Sequence, residues 1–259
     1  MFHRLDLGGH SAHAHAPPVK VSCPNPGCAI PVNRPAADFG RRVVCPGCGK
    51  DFLFADPCHT CEDFVIYDLE TTGLYPDHDD LIQIAAVRFR AGSVVTDDAF
   101  FSFAKPRRPI SAFIESYTGV GNRHVRDAPP PGAVLAGFSH WVGDSTLIAH
   151  NGLRFDSKFL TATSARHGGP CREVPCIDSI HLSKLLFGST RGTGHSLDHV
   201  TTRLSLSTRG IRRHDARGDV ELLAAAVSEM RSRLGLDTAL NGLPRHPAHL
   251  PVPNNGPFT

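Results

Sequence analysis

The stretch Phe64–Leu74, Phe-Val-Ile-Tyr-Asp-Leu-Glu-Thr-Thr-Gly-Leu, constrains the fold of this chain more than any other. Its apolar, β-branched opening reads as a buried strand that delivers two carboxylates and then breaks at Gly73. Asp68 and Glu70 lie two apart, so both side chains leave the same face while the strand persists. Two acids on one face at the end of a buried strand repel each other unless a cation sits between them. A divalent metal with oxygen ligands is the economical partner. A solvated strand end with two unrelated acids is the alternative, and other stretches must decide between them.

The chain has 259 residues, enough for one sizeable domain with a small module or tails attached. A net charge of +2 leaves any nucleic-acid surface to local patches rather than to bulk charge. No apolar run approaches the roughly 18 residues of a membrane span, and Met1 to Gly9 lack a signal-like apolar core. The expected location is therefore cytoplasmic, with no membrane association. There the 8 cysteines serve as metal ligands or free thiols rather than disulfides.

Residues 1–19 are rich in Gly, His, Ala and Pro and predict a disordered arm, with His10, His13 and His15 simply solvated. Cys23-Pro-Asn-Pro-Gly-Cys28 and Cys45-Pro-Gly-Cys48 then place two cysteine pairs on Pro/Gly turns. Such turns converge thiolates on one ion, and together the pairs match a Cys₄ site for one structural Zn²⁺. Short β-prone pieces (29–32, 42–44 and 51–54) flank them, so residues 20–55 predict a zinc ribbon of the small kind found at the start of many bacterial proteins. Cys58-His-Thr-Cys61 offers an alternative second pair. The first set is preferred because strand-like residues follow both of its turns. Cys171 and Cys176 are expected in a loop.

From residue 62 to 235 the pattern is α/β. Leu81–Arg90 and Ser93–Phe103 follow the first strand as a hairpin, and Thr146–His150 reads as a further buried strand. Helices are expected over 111–117, 132–142, 155–167, 177–186 and 196–204. A long amphipathic helix is expected over 215–234, with Val220, Leu222, Leu223, Ala226, Val227 and Met230 on one face. Residues 236–259 predict a disordered tail. Asp77, Asp79 and Asp80 predict an exposed loop without a role.

Two further acids hold pointed positions. Asp156 stands near the start of a helix that follows a buried strand. Asp219 stands in the first turns of the last helix, with His214 five residues before it. Asp68-x-Glu70-Thr-Thr-Gly, His150-Asn151-(x₄)-Asp156 and His214-x-Ala216-(x₂)-Asp219 resemble the three motifs of the DEDDh (DnaQ-like) 3′–5′ exonucleases, the family of the proofreading subunit of bacterial DNA polymerase III. The stretches Pro109-Ile110, Thr118-Gly119-Val120, Asp127-Ala128-Pro129, Asp178-Ser179 and Ser196-Leu197-Asp198 extend the resemblance over about residues 63–232. Arg217-Gly218 departs from it where an apolar pair is more usual, and Gly218 inside a helix costs about 1 kcal/mol relative to alanine; Gly152 departs where alanine is common.

The resemblance implies a ribonuclease-H-like mixed sheet flanked by helices. It also implies two Mg²⁺ or Mn²⁺ held by Asp68, Glu70, Asp156 and Asp219, with His214 as the base. Thr71, Thr72 and Leu74 would cradle the terminal nucleotide, and Asn151 would orient the site. The implied substrate is a nucleic-acid 3′ end, with DNA favoured over RNA, and a polymerase or repair protein is an implied partner. An exoribonuclease and a non-catalytic nucleic-acid-binding adaptor are the rival readings. Basic residues gather at Arg191, Arg203, Arg209, Arg212, Arg213 and Arg217, and again at Lys105, Arg107 and Arg108. They read equally as a solvated face or as a phosphate track.

Overall fold

The computed structural model describes residues 18–23, 25, 27–35, 38, 41–54, 63–90, 93–190, 192–234, 240 and 242–253. The expected N-terminal arm up to residue 17, Cys58 and Cys61 lie outside them.

Two small hairpins come first. β1 (Val19–Ser22) pairs antiparallel with β2 (Pro31–Arg34), and β3 (Arg42–Val44) with β4 (Asp51–Leu53). Each hairpin loop presents two cysteines. Val32, Val43, Phe52 and Phe54 form a separate small core beneath Cys23 and Cys45.

The main sheet has the order β10-β9-β8-β5-β6-β7. β5 (Phe64–Thr71), β6 (Leu81–Arg90) and β7 (Ser93–Phe103) form an antiparallel meander. Helices α1 (Ala112–Thr118), α2 (Asn122–Val125) and α3 (Pro131–Val142) follow. β8 (Thr146–Ala149) then returns parallel to β5. Helix α4 (Asp156–His167) leads into β9 (Cys171–Asp178), parallel to β8. Helices α5 (Ile180–Phe187), α6 (Leu197–Leu204) and α7 (Ala216–Leu234) precede β10 (Arg245–Pro251), which runs antiparallel to β9.

The alternation of β5 divides the interior in two. Phe64 and Ile66 enter the core under α5, α6 and α7, with Leu222, Leu223, Val227 and Met230. Val65, Tyr67 and Leu69 enter the core under α3 and α4, with Leu135, Phe138, Phe159 and Leu160. Each fully buried side chain of this size contributes about 1.5–3 kcal/mol. Asp68 and Glu70 share the parity of Ile66, so the strand aims both carboxylates at the face that α7 covers.

Four expectations are corrected. Cys171 and Cys176 belong to β9 rather than a loop, and the helix expected from 177 begins at Ile180. Pro175 disguised the strand, whose inward residues Val174, Cys176 and Ile177 are fully buried. The supposed disordered tail contains β10, where Ala248 and Leu250 are buried. Its prolines read as breakers, yet an edge strand tolerates them because its outward amides need no ladder partner. Asp80 is buried, not exposed: its carboxylate accepts from Arg107 Nε at 2.9 Å and lies 3.7 Å from Arg166.

Candidate active site

Backbone geometry assembles the site at the carboxyl end of β5. One carboxylate oxygen each from Asp68, Glu70 and Asp219 falls within 4.8 Å of the others. The ladder between β5 and β6 shifts register between Glu70 and Thr71, which ends the regular strand there. Asp219 reaches the cluster because α7 starts beside β6. Gln83, opposite Glu70 in register, receives the Ala216 amide on Oε1 at 3.0 Å and donates from Nε2 to Asp215 at 3.3 Å. Asp215 in turn caps the helix by accepting from Arg217 N at 3.1 Å. Gln83 escaped the sequence reading. Its signal was a lone amide in the apolar run Leu81–Ala86.

Just before α7, His214 has φ +58, a left-handed conformation uncommon for a non-glycine residue. Its amide donates to Asp219 Oδ2 at 3.2 Å, and its ring stacks on Tyr117 with centroids 4.1 Å apart. Tyr117 continues into a stack with Phe113. Gly218 explains one departure from the family pattern. A Cβ there would lie 2.3 Å from the Arg212 carbonyl oxygen, so the loop that carries His214 passes too close for any side chain.

Asp156 is the first residue of α4 and is buried. The turn before it is held by Asp178. Its Oδ1 accepts from Asn151 N and Ile180 N, each at 3.0 Å, and its Oδ2 accepts from Leu153 N at 3.3 Å. Asn151 itself is left-handed at φ +63. His150 lines the cavity that these groups share, with both ring nitrogens engaged by Ser179 Oγ and the His195 carbonyl at 2.8 Å each.

All five of these groups line one cavity of about 650 Å³, together with Thr71, Thr72, Leu74 and Asn151. Asp156 stands outside the three-oxygen cluster but still acts on it electrically. Burial, then the charges of Asp156 and Glu70, push the Asp68 carboxyl well above the carboxylate range. Burial, then Asp156 and Asp215, bring Glu70 up to about 8. Burial raises Asp156 to about 7, opposed by its own helix amide. Such mutual elevation marks a site short of positive charge. Among the described residues Arg213 supplies some, pairing with Asp219 and with Asp198 at 2.7 Å. The residues fit divalent cations: hard oxygen donors, crowded and mutually repelling, open to a cavity. Burial, then Arg213, lowers the His214 imidazole below its usual value.

The expected nucleotide contacts separate. Leu74 projects into the cavity at 73% exposure. The Thr71 hydroxyl donates to the Gly73 carbonyl at 2.5 Å, and the Thr72 hydroxyl accepts from Asp80 N at 2.9 Å, so both also hold their own turn. Of the cations near His214, Arg203 donates to the Gly194 carbonyl and Arg217 lies over the Phe101 ring, which ties them to the protein. Arg191 lies outside the described residues.

At the hairpin loops, Cys23 and Cys48 Sγ lie 3.8 Å apart and Cys28 and Cys45 Sγ 3.6 Å apart. Metal–sulfur bonds of about 2.3 Å in a tetrahedron give edges of about 3.8 Å, so the four sulfurs have the spacing of a zinc site. Backbone amides, Cys48 first and then Gly47, help hold the Cys45 thiol down at about 7.

The family model described as Exonuclease (RNase_T) matches residues 65–227. DNA polymerase III PolC-type of Streptococcus pyogenes serotype M2 is 35% identical over 179 residues, which is 68% of this chain and 12% of that protein. This chain therefore spans about an eighth of that relative's length. Among solved structures, the nuclease domain of 3′hExo, a DEDDh family member bound to rAMP, superposes with a TM-score of 0.58 at 18% identity. That match covers 72% of this chain and 96% of the other. Exonuclease X in complex with 5′ overhanging duplex DNA gives 0.51 at 22% identity, covering 65% and 91%. These likenesses share the mixed sheet with flanking helices.

Proposed function

Because the chain belongs to the exonuclease family matched over 65–227, we propose that it hydrolyses phosphodiesters from the 3′ end of single-stranded DNA, releasing nucleoside 5′-monophosphates in proofreading or repair. The observation that carries this reading is the convergence of Asp68, Glu70 and Asp219, with Asp156 and His214, around one cavity. Asp68, Glu70 and Asp219 would hold one Mg²⁺ or Mn²⁺, and Asp156 with Asp68 a second. Bound there, such ions stabilise charge on the attacking and leaving oxygens of the phosphodiester. His214, whose neutral form is favoured by burial and then Arg213, takes the proton of the attacking water on its unprotonated ring nitrogen. The phosphorus–O3′ bond then breaks, the released nucleotide keeps the phosphate on its 5′ oxygen, and O3′ takes a proton from solvent, so the shortened strand leaves with a 3′ hydroxyl. Leu74 and the exposed Phe113 offer apolar surface to the terminal base. The polymerase relative favours DNA and a replication partner. The cysteine cluster would hold one structural Zn²⁺ and, with its sphere closed, take no part in hydrolysis.

An end-labelled assay on matched DNA and RNA strands, with Mg²⁺, Mn²⁺ or EDTA, tests the proposal. Metal-dependent release of mononucleotides from the 3′ end of DNA is expected, abolished in Asp68→Ala and Asp219→Ala. Binding without turnover in the unaltered protein would mark an adaptor, and preferred turnover of RNA an exoribonuclease.

A further inference from the structure

Beyond the acid cavity the surface carries a second recess, and its chemistry is opposite. A cleft of about 430 Å³ is walled by Lys105, Arg107, Arg108, Arg123 and Arg126, all exposed. A smaller recess of about 150 Å³, sharing Arg107, Arg108 and Pro109 with the cleft and Thr72 and Ser111 with the acid cavity, joins the two. Five cations thus follow the site along one continuous wall, with Asp79 and Asp80 also lining the joining recess.

Acids neutralise little of this wall. Arg107 is committed to Asp80, and Arg123 lies 3.8 Å from the partly exposed Glu115. Lys105, Arg108 and Arg126 form no ion pair among the described residues. Exposed cations gathered without partners repel one another unless an anion joins them. The frame beneath them is fixed by polar contacts. Asn122 bonds both backbone groups of Ile110, at 2.8 and 2.9 Å, and Asp80 accepts the Arg107 amide at 2.8 Å. Lys105 N donates to the Pro129 carbonyl at 2.9 Å. The cleft is therefore held open before any ligand arrives.

We infer that this cleft binds the sugar–phosphate backbone of the same single strand whose 3′ end enters the acid cavity, a few nucleotides upstream of the scissile bond. The inference rests on the exonuclease reading. Continuity of the wall selects the scissile strand over a complementary one, and unpaired guanidinium and ammonium groups select phosphates. The consequence is a length preference: strands too short to leave the cavity forgo these contacts.

The test compares the full chain with a Lys105→Gln/Arg108→Gln/Arg126→Gln variant. Binding of a long labelled single strand and of a short oligonucleotide is measured in EDTA against salt, and turnover is measured separately with Mg²⁺. Each single-strand phosphate contact contributes about 0.7 to the slope of log affinity against log salt, so losing three should flatten the long-strand slope by about 2. The short oligonucleotide should show little change, and Arg108→Lys/Arg126→Lys should keep most of the slope, which separates charge from folding. An unchanged long-strand slope, equal loss on both lengths, or loss only when a complementary strand is present would overturn the assignment. Failure of the exonuclease reading looks different: the unaltered protein would bind both lengths and release no nucleotide from either.

Discussion

Glu70→Gln should make the metal-free protein more stable near neutral pH. Glu70 is 8% exposed, and burial with the neighbouring Asp156 and Asp215 charges brings its carboxyl from 4.5 to about 8. A carboxyl raised in the folded state leaves stability intact below its unfolded value and erodes it as pH rises toward the folded one. Between 4.5 and neutrality lie about 2.5 pH units, and at 1.36 kcal/mol per unit the cost reaches about 3 kcal/mol. Glutamine keeps the shape and never ionises, so it should recover that amount. At about 2–4 °C per kcal/mol for a domain of this size, Tm in EDTA should rise by roughly 6–12 °C at neutrality. The gain should vanish below about pH 4.5, where glutamate is also neutral. Differential scanning calorimetry across this range measures it. Mg²⁺ should reverse the order, stabilising the unaltered protein more, because the variant has lost a charged ligand. A Tm unchanged or lowered at neutrality, or a gain that persists into acid, would falsify the electrostatic account of the site.

Activity should rise with pH through a titration below the ordinary imidazole value, because His214 is lowered by burial and Arg213; His214→Ala should lose most turnover together with that dependence, and an unchanged profile would place the proton transfer elsewhere. Tyr117→Phe should keep kcat, whereas Tyr117→Ala should lower it about 2- to 10-fold, the worth of an aromatic stack of about 0.5–1.5 kcal/mol, with KM less affected; equal losses in both variants would assign the effect to the hydroxyl. Elemental analysis should find one zinc per chain, lost in Cys45→Ser, with turnover on short strands largely kept; zinc retained in that variant would move the site to other cysteines.

Much of the site was legible in the sequence because its parts obey local rules. The two-residue spacing of Asp68 and Glu70 fixes their common face once β5 is a strand, and the five-residue offset puts Asp219 in the first turn of the helix that His214 precedes. What escaped depends on contacts that no local pattern encodes. Gln83 matters because β6 happens to lie beside the start of α7, and Asp178 because β9 ends beneath the turn at Asn151. Asp80 looked like a loop acid because its partners Arg107 and Arg166 come from remote segments. β9 and β10 were hidden by their own prolines, since local propensity cannot know that β10 lies at the sheet edge or that β8 pairs with β9 only from Cys176.

The pairing of β10 has a consequence for association. Pro247 stands opposite Pro175, so neither contributes an amide to the ladder, while Val252 N on the alternate parity turns inward to the Pro170 carbonyl. From Pro247 onward the outward-facing positions are thus Pro247, His249 and Pro251. Two lack an amide hydrogen, and the third donates to Thr161 Oγ1 at 3.1 Å on α4. The His249 carbonyl is taken as well, by Ser164 Oγ at 2.9 Å. Along this stretch the rim of the sheet offers no row of free donors for another chain to copy. Growth by strand addition is blocked on that side, and a partner that extends this sheet must approach along β7.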